Sequence, residues 1–177
     1  EIAQIISAST VDDLSLLGDT RHNYLAAVFL SGTAKKPCLG LACADHTTGE
    51  FTVAEFADRQ QLEDELTRLS PSELLIPEDQ AKELGGLLNC LPYDSYAFLS
   101  DQALNPLKDQ FKVQSLDGFG CSGMTAALSA AGGALHYLTF QLRRNCDHLK
   151  ALSVRNVADF VLIDSASQLN LDLVDSR

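Results

Sequence analysis

The stretch "CLGLACADHTTGEFTVAEF" at residues 38–56 decides the fold of this chain. Two apolar runs flank a polar segment, "HTTG" at residues 46–49, which is the pattern of two strands joined by a tight turn. A third apolar run, "NYLAAVFL" at residues 23–30, precedes them and is separated by "SGTAKKP". The three segments predict an antiparallel meander.

After the meander the apolar period changes from strand to helix. Leu62, Leu66 and Leu69 recur at i, i+4 and i+7, which predicts one stripe of an amphipathic helix. The next predicted elements are a strand at 73–77, a helix at 78–88 ending at Gly85 and Gly86, an extended stretch at 91–99, and a helix at 100–111 capped by Ser100 or Asp101 and bent at Pro106. The order βββαβαβα predicts an α/β protein with a mixed sheet and helices on its faces, which is the layout of the ribonuclease H-like fold.

The glycine-punctuated segment "LDGFGCSG" at residues 116–123 predicts a hinge and a domain boundary after residue 121. Beyond it, apolar residues step by four and three positions, which predicts a long helix of about 20 residues with a narrow apolar seam. The seam consists of Met124, Leu128, Ala131, Leu135, Leu138 and Leu142. Such a seam needs a partner, so we expect it to pack on helices elsewhere, to be covered by the tail, or to mediate self-association through residues 122–142.

The two ends of the chain give weaker patterns. Residues 1–20 predict a linker, residues 159–164 a strand or buried turn, and the residues after them the opening of another helix. The chain begins without a methionine and stops in mid-pattern, so we expect it to be a piece of a longer protein.

Composition narrows the function classes. Hydrophobic residues make up 46% and charged residues 21% of the 177 residues, as in folded globular chains. The net charge is −11, and up to Leu142 there are eight Lys or Arg against nineteen Asp or Glu. Duplex DNA is therefore an improbable direct ligand of that part. The five cysteines include no C-x-x-C pair, which disfavours disulfides and zinc and favours a reducing cytoplasm. From the sequence we expect neither a signal peptide nor a membrane span.

Asp45 and Glu50 are the first candidates for chemistry, because ribonuclease H-like nucleases hold two divalent metals with several carboxylates. The first predicted strand, however, contains no acidic residue. Turn-flanking carboxylates are therefore the favoured interpretation. Among the histidines, His46 is predicted in a solvated turn and His136 half-buried on the long helix, while His22 and His148 fall in loops. No second ligand lies at metal-binding spacing.

Three further segments resemble reactive or binding motifs only superficially. Cys38 and Cys43 lie among apolar neighbours, where a thiol acts as a small apolar side chain. "GFGCSG" lacks the lysine and spacing of a phosphate-binding loop. The locally basic stretch from Arg143 to Asn156 lacks interleaved aromatics, so a solvated helix end is the simpler interpretation.

Four collinear stretches resemble one family. They are "EIAQIISASTVDDLSLLGDTRHNYLAAVFL", "LACADHTTGEFTVAEF", "LSPSELLIPED" with "LDGFGC", and "LIDSASQLNLDL". They are similar to the part of the bacterial MutS mismatch-repair family that follows the mismatch-reading domain. The resemblance covers essentially the whole chain.

The resemblance implies a domain assignment and a function. Residues 1–121 resemble the connector domain, which in the family has a ribonuclease H-like fold without nuclease chemistry, and residues 122–177 resemble the first part of the core or lever region. The Phe-x-Glu and Walker A motifs of the family have no counterparts here. The resemblance therefore implies a non-catalytic fragment with no cofactor or metal of its own, while ATP and magnesium, and the ATPase activity, belong to the parent protein.

The implied partners are MutL, the other domains of the parent protein, and mismatched DNA through the parent only, in the bacterial cytoplasm at the nucleoid. For the MutL contact we expect the last connector helix, with Gln102, Asn105, Pro106 and Lys108. Two alternatives stay open: a divergent ribonuclease H-like, metal-dependent nuclease, and a purely structural module.

Overall fold

A six-stranded mixed sheet forms the centre of the computed structural model, which describes residues 24–33, 36–87 and 90–155. The strands are β1 (Tyr24–Thr33), β2 (Lys36–Asp45), β3 (Phe51–Phe56), β4 (Glu73–Pro77), β5 (Cys90–Tyr93) and β6 (Ser153–Val154). The α-helices are α1 (Arg59–Leu69), α2 (Ala81–Leu84), α3 (Ser100–Phe111) and α4 (Thr125–His136). The features predicted for residues 1–20 and from residue 159 onward lie outside the described residues.

The strand order across the sheet is β5-β4-β1-β2-β3-β6. β1 and β2 pair antiparallel over their full length, from Tyr24 opposite Asp45 to Thr33 opposite Lys36, and β3 pairs antiparallel with β2. β4 joins β1, β5 joins β4 and β6 joins β3 in parallel, so β2 alone runs against the other five. The meander predicted from residues 23–56 is confirmed.

The sheet is buried on both faces. Successive residues of its central strands point to opposite sides, and apolar residues on each side pack under helices. Leu25 and Ala27 belong to the core under α3 and α4, whereas Ala26 and Val28 belong to the core under α1 and α2. The predicted leucine stripe of α1 fills the second of these cores. The fold is therefore a sheet between two helical layers.

α4 lies unusually close to the sheet, because small residues face each other across the contact. Ala42, Ala44 and Gly40 share one face of β2, and a Cβ atom added to Gly40 would collide with the backbone of Ala126. On its other side α4 approaches α3, where a Cβ at Gly132 would collide with Ala103. The Ala- and Gly-rich sequence of α4 is thus required by packing from two directions.

The amino end of α4 is capped from the sheet rather than from its own sequence. Its N-cap residue, Met124, makes no side-chain capping bond. Instead Glu55 of β3 accepts hydrogen bonds through Oε1 from the N–H groups of Ala126 at 2.9 Å and Ala127 at 3.1 Å. A carboxylate at this position satisfies two free donors and complements the helix dipole.

The seam of α4 has a different partner from the one predicted. The helical segment runs from Thr125 to His136 and continues as a π-helix over Tyr137–Gln141. Leu128, Leu135, Leu138 and Leu142 are all buried in the core formed with the sheet and α3. The expected self-association through residues 122–142 therefore loses its premise, because the seam is already covered within the chain.

The segment 116–123, predicted as a hinge and boundary, packs against the rest of the fold. It contains a short 3-10 helix, Asp117–Phe119, flanked by Leu116 and Cys121, which are both buried in the same core as α3 and α4. The elements before and after the predicted boundary at residues 121/122 consequently share one core. Where the domains of a longer parent divide stays a prediction.

Two predicted elements are shorter in the structure. Of the predicted helix at 78–88, the described residues 78–87 are α-helical at Ala81–Leu84, after a 3-10 turn at Glu78–Gln80. The extended stretch at 91–99 ends at Tyr93, because the Asp94 side chain accepts a hydrogen bond from the N–H of Tyr96 and begins a 3-10 helix at Ser95–Phe98.

The start of α3 also differs from its prediction. The helix begins after Leu99, which has no side-chain capping bond, so the predicted cap at Ser100 or Asp101 is wrong. Pro106 lies inside α3, as expected.

The pairing of β1 with β4 is short and is extended by a side chain. β4 pairs with β1 only from Leu25 to Ala27, and the Gln80 side chain continues the pairing by accepting from the Leu30 N–H at 2.8 Å and donating to its carbonyl at 2.9 Å. β5, the edge strand beside β4, contains Pro92, which has no N–H to donate.

Among the helices of the described residues, none combines the length and apolar character that a membrane span requires.

We predict that Gly40→Ala lowers the free energy of unfolding by about 3 kcal/mol, because the new methyl group can be accommodated only by moving the α4 backbone. Urea unfolding followed by circular dichroism measures the change. Gly118→Ala is the matched control, since a Cβ there meets nothing within 4 Å, and it should change stability by less than about 1 kcal/mol. Equal effects of the two substitutions would contradict the close contact.

Candidate functional site

The predicted partner-binding residues lie on helix α3. The helix buries Ala103, Leu107 and Phe111 on its inner side. On the outer side Gln102 and Asn105 are exposed, while Pro106 and Lys108 are half-buried. All four residues are thus accessible from solvent, and their role in binding a partner stays a prediction.

Two apolar residues extend this surface and were not predicted. Tyr96 is 53% exposed and Leu99 is 52% exposed, directly before the first turn of α3. The sequence signal was the Asp94-Ser95 pair, which breaks the strand and turns these side chains outward. We call Tyr96, Leu99, Gln102, Asn105, Pro106 and Lys108 the α3 surface.

A small cavity lies beside the α3 surface, between the first turns of α3 and α4. It has a volume of about 50 Å³ and is lined by Ser100, Leu104, Thr125, Leu128 and Ser129. Three hydroxyl groups and two leucines make it amphipathic. Its size suits one small side chain or a few water molecules, and is far below the hundreds of Å³ of a substrate pocket.

The carboxylates of the β2–β3 turn have structural partners. Asp45 Oδ1 accepts from the N–H groups of Thr47 at 2.8 Å and Thr48 at 3.3 Å, and Gly49 occupies the left-handed region at φ 79°. Asp45 is fully buried rather than facing water, because its carboxylate folds back onto the turn amides. Glu50 forms an ion pair with Arg155, with Oε1 at 3.0 Å from Nη2.

His46 differs from its prediction. Its ring lies edge-on to the ring of His148 with 4.4 Å between the centroids, so it is half-buried against the C-terminal segment instead of solvated. Within residues 24–33, 36–87 and 90–155 no group of three or more His, Cys, Asp and Glu side chains is placed to hold a metal ion.

His136 is half-buried at the end of α4, as predicted. Its Nδ1 lies 2.9 Å from the hydroxyl oxygen of Tyr93, and its ring stacks on the exposed Phe140 at 4.5 Å between centroids. Burial lowers the pKa of His136 below its usual value. A neutral imidazole that holds β5 to the end of α4 is a packing element.

The cysteine thiols of the described residues are held in their neutral form. Burial raises the pKa of Cys43 to about 12 and the pKa values of Cys38 and Cys146 to about 11; at Cys38 the neighbouring Glu55 adds to the effect. Burial also raises the pKa values of Cys90 and Cys121. Since the thiolate is the reactive species, these positions are suited to packing and not to nucleophilic chemistry.

The family model described as MutS domain II matches residues 23–150, which include β1 to β5 and all four α-helices. The chain belongs to the MutS domain II family. Proteins named DNA mismatch repair protein MutS are similar to it: that of Protochlamydia amoebophila is 36% identical over 187 residues, covering 99% of this chain and 21% of the relative.

Two further proteins of the same name agree. That of Nostoc punctiforme is 35% identical over 193 residues, with 99% of this chain and 21% of the relative covered, and that of Syntrophobacter fumaroxidans is 36% identical over 183 residues, with 100% and 20% covered. The chain spans about a fifth of the length of these MutS relatives. The resemblance to the MutS family found in the sequence is confirmed.

We predict that Cys43→Ala reduces the alkaline loss of stability. Because the folded pKa is about 12 and the unfolded pKa about 9, the buried thiol stabilises the fold below pH 9 and that contribution is lost as pH rises from 9 towards 12. Urea unfolding at pH 8.5 and 10.5 under reducing conditions measures how steeply the free energy of unfolding falls with pH. This slope should be smaller by roughly 1 kcal/mol per pH unit in the variant. An unchanged slope would mean that Cys43 ionises freely.

Proposed function

We propose that this chain is the connector portion of a MutS-type DNA mismatch repair protein, and that it couples mismatch recognition to the lever and ATPase parts of that protein. The observation that carries the proposal is the match of MutS domain II to residues 23–150. A sheet buried on both faces by tightly packed helices supports a coupling role, because a rigid body transmits displacement without absorbing it.

We propose in addition that the domain has the ribonuclease H-like fold without its chemistry. The order β5-β4-β1-β2-β3, with β2 alone reversed, supports the fold. The absence of acidic residues from β1, the turn bonds of Asp45 and the ion pair of Glu50 support a non-catalytic role. A divergent nuclease would require these carboxylates to leave their structural partners.

The shared core supports a longer connector domain than the one predicted. The predicted division after residue 121 would separate α4 from the sheet against which it packs. We therefore propose that the connector runs to about Arg155 and that the lever region begins after it. The end of the family match at residue 150 supports this extent.

MutL is the proposed external partner, with the α3 surface as the contact. Exposed Tyr96 and Leu99 beside Gln102, Asn105 and Lys108 give the mixture of aromatic, aliphatic and polar groups found at protein interfaces. Mismatched DNA, ATP and magnesium would be bound by other domains of the parent protein, in the bacterial cytoplasm and at the nucleoid. The net charge of −11 supports indirect contact with DNA.

We predict that Lys108→Glu combined with Asn105→Ala weakens capture by the amino-terminal half of the matching MutL at least about tenfold, since removing interface anchors costs 1 kcal/mol or more each. Titration calorimetry or a pull-down with the 177-residue chain measures the effect. Lys82→Glu is the matched control: it makes the same charge change on α2, on the opposite face of the sheet, and should leave capture unchanged.

The outcomes separate the candidate functions. Equal binding by both variants would move the contact away from α3, and no binding by any form would favour a purely structural module. A manganese- or magnesium-dependent nuclease activity of the chain that Asp45→Ala abolishes would replace the proposal with the nuclease alternative.

A further inference from the structure

The C-terminal segment of the described residues is first held by apolar burial. Leu149 and Leu152 are 0% and 3% exposed and belong to the core under α3 and α4. The Gln110 side chain of α3 donates from Nε2 to the carbonyl oxygens of Cys146 at 2.6 Å and Leu149 at 3.2 Å. Up to Leu152 the segment is thus part of the core.

Beyond Leu152 the segment is attached by strand pairing with β3. β6 has only two residues, which pair with Thr52 and Val53 at the edge of the sheet, and Ser153 is exposed. The backbone N–H of Arg155 adds one hydrogen bond to the carbonyl of Val53 at 2.8 Å. Val154 is partly buried and packs against the core under α3 and α4, whereas Leu149 and Leu152 are fully buried in it.

The side chain of Arg155 adds ionic contacts. Its guanidinium lies with Nη2 3.0 Å from Glu50 Oε1 and with Nη1 3.5 Å from Glu65 Oε1. Glu65, on α1, is 7% exposed and also accepts from Arg68 Nε at 2.8 Å. We call these four residues the Arg155 cluster; two guanidinium groups and two carboxylates balance in charge.

The Arg155 cluster connects three parts of the fold: helix α1, the β2–β3 turn and the end of β6. Removing Arg155 leaves the nearly buried Glu65 with one guanidinium partner, Arg68, instead of two, and leaves Glu50 without its ion pair. The ion pairs are partly exposed to solvent and hold only a short strand, whereas Leu149 and Leu152 are anchored by burial. Local opening should therefore stop at Leu152.

We propose that Arg155 forms a releasable electrostatic contact, which fastens β6 to α1 and the β2–β3 turn and lets residues 153–155 detach as a unit. The pivot of this opening lies between Leu152 and Ser153, not in the glycine-rich segment 116–123. The proposal concerns this chain alone and holds whether or not the proposed function is correct.

The test is amide hydrogen exchange by NMR on the 177-residue chain and its Arg155→Gln variant, expressed as protection factors. The reporters are the amide of residue 155, which bonds the Val53 carbonyl, and the amide of Leu149, which bonds the Cys146 carbonyl. We expect Arg155→Gln to lower protection at residue 155 roughly five- to tenfold and to leave Leu149 unchanged.

Arg59→Gln is the matched control, because it makes the same charge change within the exposed Arg59–Glu63 pair of α1. It should leave both amides unchanged. Glu50→Gln removes a single contact and should lower protection at residue 155 by a smaller factor, so it carries the test if Arg155→Gln does not fold. Unchanged protection at residue 155 in Arg155→Gln or Glu50→Gln, or an equal loss at Leu149, would overturn the proposal.

Discussion

The close approach of helix α4 to the sheet is the constraint on which the rest of this structure depends. It requires Gly40 on β2 and Gly132 on α4, because a side chain at either position would occupy the space of a neighbouring backbone or of Ala103. With α4 so placed, α3 can pack beside it, Glu55 can reach its first N–H groups, and the segment after the π-helix can return to the edge of β3. Small residues thus fix the positions of large elements.

The sequence allowed the meander and α1 to be predicted because their signals are local: a turn with glycine, period-two and period-four apolar residues, and short loops. It did not reveal the partner of α4. Periodicity tells which side of a helix is buried but not what covers it, and it gives no reason for Gly132 and Gly133, which are required by the closeness of Ala103 and Phe98. Similarly, the side chain of Asp94 ended β5 earlier than the apolar pattern suggested.

In the candidate site, too, the features with local partners could be predicted from the sequence and those with distant partners could not. The turn role of Asp45 could be predicted, because its partners are two and three residues away. The partner of Glu50 could not, since Arg155 is 105 residues distant in the chain and only the parallel pairing of β6 with β3 brings it close. On the α3 surface, the resemblance to the family suggested Gln102, Asn105, Pro106 and Lys108, whose binding role stays a prediction, while the exposure of Tyr96 and Leu99 depended on an unforeseen 3-10 turn.

Pro92 in the edge strand β5 affects how copies of this chain can associate. An open strand edge is a template on which further copies can add, and such addition leads to fibres. β5 is four residues long and contains Pro92, which has no N–H to donate to another strand. Pro92 therefore disfavours the addition of another strand at this edge of the sheet. Contacts made at this edge depend on side chains instead of backbone pairing.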